Sequence, residues 1–264
     1  MTLLAPRSRV CLFLIAGLAL LPACGRSQSP GKPSAEVPAA VKALEGKGLT
    51  VMQEFEVGGG LRAFAAVAGD RPVAVYVTSD GNAIVGSRLD DKGEPLDEAT
   101  LDKLVAKPIS DKAWAQLEAS RWVRDGKADA PRIVYTFSDA NCPYCHRFWE
   151  AARPWVDAGK VQLRHVLVGV IRPDSPAKAA AILGAADPSA ALAENENKFD
   201  RGGITPAPSI PADVSQALDD NQRLMLSMGF RGTPGIVVRD GDGLLKKYNG
   251  MPQPAAMNDV LGPR

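Results

Sequence analysis

The spacing of apolar positions predicts two folded regions, the first of which covers residues 39–107. Val41 and Leu44 share one face of a short helix predicted at its start. Apolar runs bounded by Gly, Asp and Ser indicate strands separated by turns. The predicted strands cover residues 61–67, 72–78 and a segment that begins at 83. This combination of one helix and a few strands predicts a small α+β domain.

The second region, residues 128–264, alternates strands with helices, which favours a layered α/β architecture. Helices are predicted from Cys145 to about Asp157 and from Gln253 to Val260. A helical insertion is predicted over about 173–230, before the last strands. The predicted strands are residues 132–137, 161–171, 236–239 and 244–248.

Two further segments precede or join these regions. Residues 24–38 are rich in Gly, Pro and Ser, and they predict a flexible tether because they cannot bury apolar surface. Ser110 and Asp111 supply an N-cap for a linker helix, which we place at 108–127. The helical pattern of this linker is expected to reach about Asp125.

The start of the chain carries a targeting signal. Two arginines precede an apolar run at residues 10–21, which is shorter than a comfortable membrane span. The run ends in Leu-Pro-Ala-Cys, which resembles a bacterial lipoprotein box and predicts removal of residues 1–23 and acylation of Cys24. An ordinary signal peptide cut after Ala23 is the alternative. In lipoproteins of this kind Gly25 favours the outer membrane, so we expect a periplasmic, lipid-anchored protein.

Charge and cysteine content narrow the possible functions. The formal net charge is +1 and no long basic run occurs, so nothing indicates nucleic-acid binding. Of the four cysteines, Cys11 leaves with the signal and Cys24 is blocked by lipid. Cys142 and Cys145 remain, and an isolated pair of this kind is either a redox couple or a tether for a cofactor.

The pair forms a Cys-x-x-Cys motif between a predicted strand and a predicted helix, which is typical of a thioredoxin-like redox site. The unpaired N–H groups and the dipole of the helix start favour a thiolate, so we assign Cys142 as the nucleophile. Cys145, one turn further, is the expected resolving thiol. Pro143 and Tyr144, between them, are expected to tune the redox potential.

The same residues, followed by His146, also match the Cys-x-x-Cys-His pattern of haem c attachment. His146 would then be the proximal iron ligand, with His165 or a methionine opposite. The preceding strand favours the redox interpretation. Zinc is disfavoured as well, because Cys142, Cys145 and His146 provide three ligands whereas structural sites usually take four. We therefore expect no metal and no cofactor beyond the redox-active Cys142–Cys145 disulfide.

Six segments of the chain carry a family resemblance, namely Arg121–Val123, Asp125–Lys127, Cys142–Cys145, Ala152–Asp157, Leu167–Ile171 and Thr233–Pro234. Together they resemble the DsbC/DsbG family of periplasmic thiol:disulfide interchange proteins. The resemblance implies that the Thr233–Pro234 bond is cis and that the Thr233 backbone pairs with substrate. Without the upstream cysteines, a trans proline that starts a strand would be expected.

The family resemblance also implies an organisation and an activity. It implies a V-shaped homodimer with a cystatin-like N-terminal dimerisation domain, a linker helix and a thioredoxin-like catalytic domain. It implies reduction or isomerisation of disulfides in periplasmic proteins, reduction of sulfenic acids on single cysteines, and a membrane reductant of the DsbD type. The alternatives are a thiol oxidase of the same fold and a non-catalytic electron carrier or binding lipoprotein.

Overall fold

The computed structural model describes residues 36–69 and 71–264. The predicted signal peptide, the expected lipidation site Cys24 and nearly all of the predicted tether lie outside the described residues. From Pro38 to Arg264 the chain forms one compact unit that contains two β-sheets. No helix among the described residues is both long enough and apolar enough to cross a membrane.

The first sheet is antiparallel and has the strand order β1-β2-β3-β4. Its elements are α1 (Ala39–Glu45), β1 (Leu49–Phe55), β2 (Arg62–Ala68), β3 (Arg71–Val77) and β4 (Ala83–Gly86). Tyr76 is buried in β3, and its hydroxyl donates a hydrogen bond of 2.7 Å to Asp97. The sequence patterns correctly indicated β2, β3 and β4 but not β1, in which the polar residues Gln53 and Glu54 obscure the apolar spacing.

A helical segment follows the first sheet and ends earlier than expected. It comprises α2 (Glu98–Leu101), a π-helical turn (Asp102–Ala106) and α3 (Lys107–Ala119). The expectation that the linker helix continues to about Asp125, within 108–127, is wrong. The residues Trp122–Asp125 form strand β5, because Val123 is buried and pairs with His165 at the edge of the second sheet.

The second sheet has the strand order β5-β7-β6-β8-β9, in which β6 and β7 are parallel and the other pairs antiparallel. The strands are β6 (Arg132–Ser138), β7 (Val161–Leu167), β8 (Gly235–Arg239) and β9 (Leu245–Asn249). The helices are α4 (Pro143–Val156), α5 (Ser175–Leu183), α6 (Pro188–Asn197), α7 (Ala212–Ser227) and α8 (Met257–Leu261). Strand β7 ends at Leu167, before the predicted end at residue 171.

Helices cover both faces of this sheet, as the α/β pattern predicted. On one face, Phe148 and Trp155 of α4 pack against Val134 and Leu163 together with residues of α8. On the other face, Trp114 of α3 and residues of α7 pack on Tyr135, Phe137 and Val237. Helices α5, α6 and α7 all lie between β7 and β8, which confirms the predicted helical insertion.

Candidate active site

The two cysteines lie where strand β6 passes into helix α4. Cys142 is the N-cap residue of α4, with extended backbone angles (φ −84°, ψ 114°), and Pro143 occupies the first helical position. The backbone N–H of Cys145 donates a hydrogen bond of 3.3 Å to Cys142 Sγ. The sulfur therefore occupies the capping position where serine or aspartate oxygens usually accept from the helix.

The pair is shielded from solvent, although its neighbour is not. Cys142 is 2% exposed, Cys145 is 4% exposed, and both are free thiols in this structure. Tyr144, between them, is 54% exposed. The tyrosine ring therefore marks the surface from which another molecule would approach the sulfurs.

A loop before β8 lies against the cysteines. The Thr233–Pro234 bond is cis, and the Thr233 carbonyl accepts a hydrogen bond of 3.4 Å from the Cys142 thiol. The Pro234 carbonyl accepts from Gly250 N–H at 2.8 Å, which ties the loop to the end of β9. A Cβ on Gly235 would lie 2.7 Å from the Phe230 ring, so only glycine fits after the proline. The sequence alone gave no reason for this glycine.

The two thiols have opposite acidities. A hydrogen bond from the Cys145 thiol is the largest cause that lowers the pKa of Cys142, to about 6, against the opposing effect of burial. The Thr233 side chain and backbone N–H groups of the helix start act in the same direction. Burial raises the pKa of Cys145 well above its usual value, and its hydrogen bond to Cys142 adds to this effect. Cys142 is therefore the thiol that ionises first.

A buried polar network supports the turn that precedes Cys142. The Asp139 carboxylate accepts from the N–H groups of Asn141 (2.8 Å) and Val170 (2.6 Å) and from the Ser175 hydroxyl (2.7 Å). The buried Lys178 ammonium donates to Asn141 Oδ1 at 2.7 Å. Sequence patterns missed these residues because they are polar positions divided between the turn after β6 and helix α5, without a motif that links them.

Both histidines of the chain contact neighbouring side chains of the protein. His146 Nδ1 lies 2.8 Å from Glu196 Oε2, and its ring stacks on Phe199 at 4.4 Å. His165 is buried beneath α4, where its two ring nitrogens lie 3.3 Å from Ser138 Oγ and 3.5 Å from Asp125 Oδ2. Within residues 36–69 and 71–264, no group of three or more His, Cys, Asp or Glu side chains is arranged to hold a metal ion.

Known proteins that are similar to this chain agree with this geometry. A family model described as a thioredoxin-like domain matches residues 124–262. The catalytic domain of Proteus mirabilis ScsC has a similar fold, with a TM-score of 0.50 and 20% sequence identity over 59% of this chain and 96% of that chain. The fold and the Cys-x-x-Cys site together define a thioredoxin-like thiol–disulfide oxidoreductase.

Two curated proteins match nearly the whole chain. The thiol:disulfide interchange protein DsbG of Pseudomonas aeruginosa is 43% identical over 260 residues, 98% of this chain and 99% of that protein. The DsbG protein of Escherichia coli is 41% identical over 250 residues, 93% of this chain and 96% of that protein. The chain belongs to the DsbG family of thiol:disulfide interchange proteins, and its enzymatic activity is thiol–disulfide exchange.

Proposed function

We propose that the protein is a periplasmic disulfide isomerase and reductase in which Cys142 is the nucleophile and Cys145 the resolving thiol. The observation that carries this assignment is the position of Cys142 Sγ, which caps helix α4 and accepts from the Cys145 N–H, while Cys145 lies buried one turn further. The opposite acidity of the two thiols agrees with it. A thiolate is the reactive form of cysteine, and only Cys142 forms it readily near neutral pH. The redox group is the Cys142–Cys145 disulfide, with no further cofactor or metal.

The first step forms a mixed disulfide. The Cys142 thiolate attacks one sulfur of a substrate disulfide, a new S–S bond forms, and the other substrate sulfur leaves as a thiolate. In isomerisation, a substrate thiolate then attacks the mixed disulfide and restores the Cys142 thiolate. In reduction, Cys145 loses its proton and attacks Cys142 Sγ, which releases the reduced substrate and oxidises the pair. A membrane reductant of the DsbD type returns the two electrons.

The same thiolate is suited to sulfenic acids. Attack of Cys142 on the sulfur of a Cys–SOH group forms a mixed disulfide, and the oxygen leaves as hydroxide that becomes water. Cys145 then resolves this mixed disulfide as it does in disulfide reduction. Loss of a dimedone-reactive sulfenic acid from a single-cysteine substrate on addition of reduced protein tests this activity, and an unchanged dimedone signal would reject it.

The loop opposite Cys142 provides the proposed substrate contact. The Thr233 carbonyl is already turned toward Cys142 Sγ, and Pro234 holds the backbone beside it. We propose that the Thr233 backbone pairs with an extended substrate segment, as a strand edge does. Pro143 and Tyr144 tune the redox potential, the first by starting the helix and the second from its exposed position.

Trapping with Cys145→Ala tests the catalytic assignment. Without the resolving thiol, mixed disulfides between Cys142 and periplasmic proteins should accumulate and should disappear on addition of dithiothreitol. The matched control is Cys142→Ser with Cys145→Ala, which should trap nothing. Absence of adducts from well-expressed Cys145→Ala protein would overturn the assignment.

The redox state in cells separates the proposed activity from that of an oxidase. A reductase or isomerase is kept mainly as the dithiol, whereas an oxidase is kept as the disulfide. Alkylation of acid-quenched cells with a large maleimide should therefore shift the mass of most of the protein by two adducts. A protein that stays largely unmodified would be acting as the oxidase.

Anchoring is proposed for the segment before the folded unit. The apolar run followed by Leu-Pro-Ala-Cys supports lipidation at Cys24 and an outer-membrane location. Labelling with a palmitate analogue should mark the wild-type protein and leave Cys24→Ser unmarked. Equal absence of label from both proteins would favour an ordinary signal peptide cut after Ala23.

A further inference from the structure

Two residues at the end of helix α6 contact the chain just before and just after the Cys142–Cys145 motif. Asn195 Nδ2 donates a hydrogen bond of 3.2 Å to the carbonyl of Ala140, two residues before Cys142. The next residue, Glu196, contacts His146, directly after Cys145, with 2.8 Å between Oε2 and Nδ1. Asn195 is fully buried, so these contacts fix the helical insertion to the start of α4.

Glu196 is a buried acid beside the first turn of α4, where a negative charge affects the ionisation of Cys142. It is 6% exposed, and Asn195 Nδ2 lies 3.4 Å from its Oε1. Its partner His146 is one helical turn from Cys142, since the His146 N–H donates to the Cys142 carbonyl at 3.1 Å. A carboxylate beside this turn competes with a Cys142 thiolate for the positive end of the same helix. Burial strengthens their mutual repulsion.

His146 counteracts the effect of the Glu196 carboxylate on the Cys142 thiolate. Its ring stacks on Phe199 at 4.4 Å and lies 6.1 Å from the Trp149 ring, which fixes its orientation. It donates a hydrogen bond to Glu196 when neutral and adds a positive charge when protonated. The other carboxylate nearby, Glu150, is 3.6 Å from Nε2, but its side chain is 60% exposed and therefore largely screened by water.

We propose that His146 and Glu196 are paired positioning residues that set the redox equilibrium of Cys142 and Cys145 by opposite effects. Glu196 disfavours the Cys142 thiolate and thereby the reduced pair, and His146 limits this effect. The proposal deepens the proposed function and rests on Cys142 being the thiol that ionises. If the two residues only held the helical insertion in place, replacing either of them would shift the redox equilibrium of the cysteines in the same direction.

The test measures the equilibrium of the purified protein with reduced and oxidised glutathione at pH 7. Glu196→Gln should raise the reduced fraction of the Cys142–Cys145 pair. The equilibrium constant for its reduction by glutathione should increase about threefold, which corresponds to about 14 mV in redox potential. His146→Leu should change the same constant in the opposite direction by a similar factor. Glu194→Gln is the matched control, since this acid on the same helix pairs with exposed Lys198 and should change nothing.

Two further variants distinguish electrostatics from loss of structure. His146→Asn retains an N–H donor near the Nδ1 position and should restore part of the wild-type constant. The double variant His146→Leu with Glu196→Gln should fall between the two single variants. Shifts of both single variants in the same direction, or shifts no larger than that of Glu194→Gln, would overturn the proposal. Because no protein substrate is involved, the result is independent of the trapping experiment with Cys145→Ala.

Discussion

At the scale of single residues, the chemistry depends on which sulfur caps helix α4. Cys142 Sγ accepts from the helix start, whereas Cys145 lies in its first turn and packs into the protein. Two identical side chains three positions apart therefore have opposite acidities. The difference arises from position, since the Cys145 thiol and, to a lesser extent, the helix N–H groups stabilise the Cys142 thiolate, whereas burial disfavours ionisation of Cys145.

The ionisation of Cys142 gives a prediction about pH. The rate of Cys142 alkylation by iodoacetamide should rise with pH through a midpoint near the pKa of about 6. Because hydrogen bonding from the Cys145 thiol is the main cause of this low pKa, Cys145→Ala should move the midpoint upward. Mass spectrometry of timed samples measures both midpoints. A midpoint near the ordinary cysteine value in the wild type would contradict the stabilisation of the Cys142 thiolate by the Cys145 thiol and the helix start.

At the scale of elements, β6 and α4 form the site, and their neighbours hold it in place. Arg153 of α4 pairs with Asp125 of β5 through both guanidinium nitrogens, and buried His165 of β7 lies beside the same carboxylate. The helical insertion adds contacts to the turn before Cys142. The redox helix is therefore fixed at both its start and its end.

The Asp125 cluster predicts a component of acid sensitivity. Burial alone would raise the pKa of Asp125, but the neighbouring His165 and the hydrogen bonds from Arg153 lower it to about 2. An acid with a lowered pKa in the folded state stabilises the fold above its unfolded pKa, and this contribution is lost as the pH falls from about 4 to about 2. It amounts to about 2 kcal/mol.

Asp125→Asn should therefore remove this part of the pH dependence. Urea unfolding at pH 2, 3, 4 and 6 measures the free energy of unfolding, and the slope between pH 4 and pH 2 should be shallower in the variant. Asp157→Asn is a suitable control, since Asp157 is largely exposed and lies 3.8 Å from Arg153. Equal slopes in wild type and Asp125→Asn would contradict the ion-pair explanation.

The buried lysine of α5 predicts how the insertion contributes to stability. Lys178 donates to Asn141 and to the Gly202 carbonyl at 2.7 Å each. Lys178→Met leaves these acceptors unpaired and should lower the free energy of unfolding by about 3 kcal/mol. Lys198→Met removes an exposed lysine and should cost about 0.5 kcal/mol or less. Chemical denaturation compares the two, and similar small losses would show that the buried contacts matter little.

At the scale of the whole molecule, the two sheets have different surroundings. The second sheet is covered by helices on both faces. Within the part of the chain that the structure describes, β4 is an edge strand of the first sheet, and its Ile84 and Val85 are 56% and 48% exposed. Exposed apolar edges favour pairing between chains, which is consistent with the homodimer and the cystatin-like N-terminal dimerisation domain that the family resemblance implies.

The dimer proposal predicts a change of mass in solution. The protein lacking residues 1–23 should elute as a dimer, and Ile84→Lys combined with Val85→Lys should elute as a monomer. Met52→Lys, on edge strand β1, is the matched control and should remain dimeric. Light scattering during gel filtration measures each mass. A monomeric wild type would reject the homodimer.

The sequence was sufficient for the features that depend on local patterns. The Cys142–Cys145 motif at a strand–helix junction, the insertion and the α/β order all follow from short-range spacing, and the structure or the comparisons confirm them. The family was likewise recognisable from contiguous segments. Strand β1 and the end of α3 were misjudged, because an edge strand needs pairing partners that local propensity does not reveal.

Only the tertiary structure decided which distant residues surround the motif. Thr233 contacts Cys142 although the two are 91 residues apart in the chain, and Glu196 contacts His146 across 50 residues. Helix α5 brings Lys178 to Asn141. Hydrogen bonding and burial then determine acidity, since the hydrogen bond from the Cys145 thiol lowers the pKa of Cys142 and burial raises the pKa of Cys145. The sequence therefore determined the reactive groups, while long-range packing determined their electrostatic environment, because charge effects depend on distance and solvent exposure.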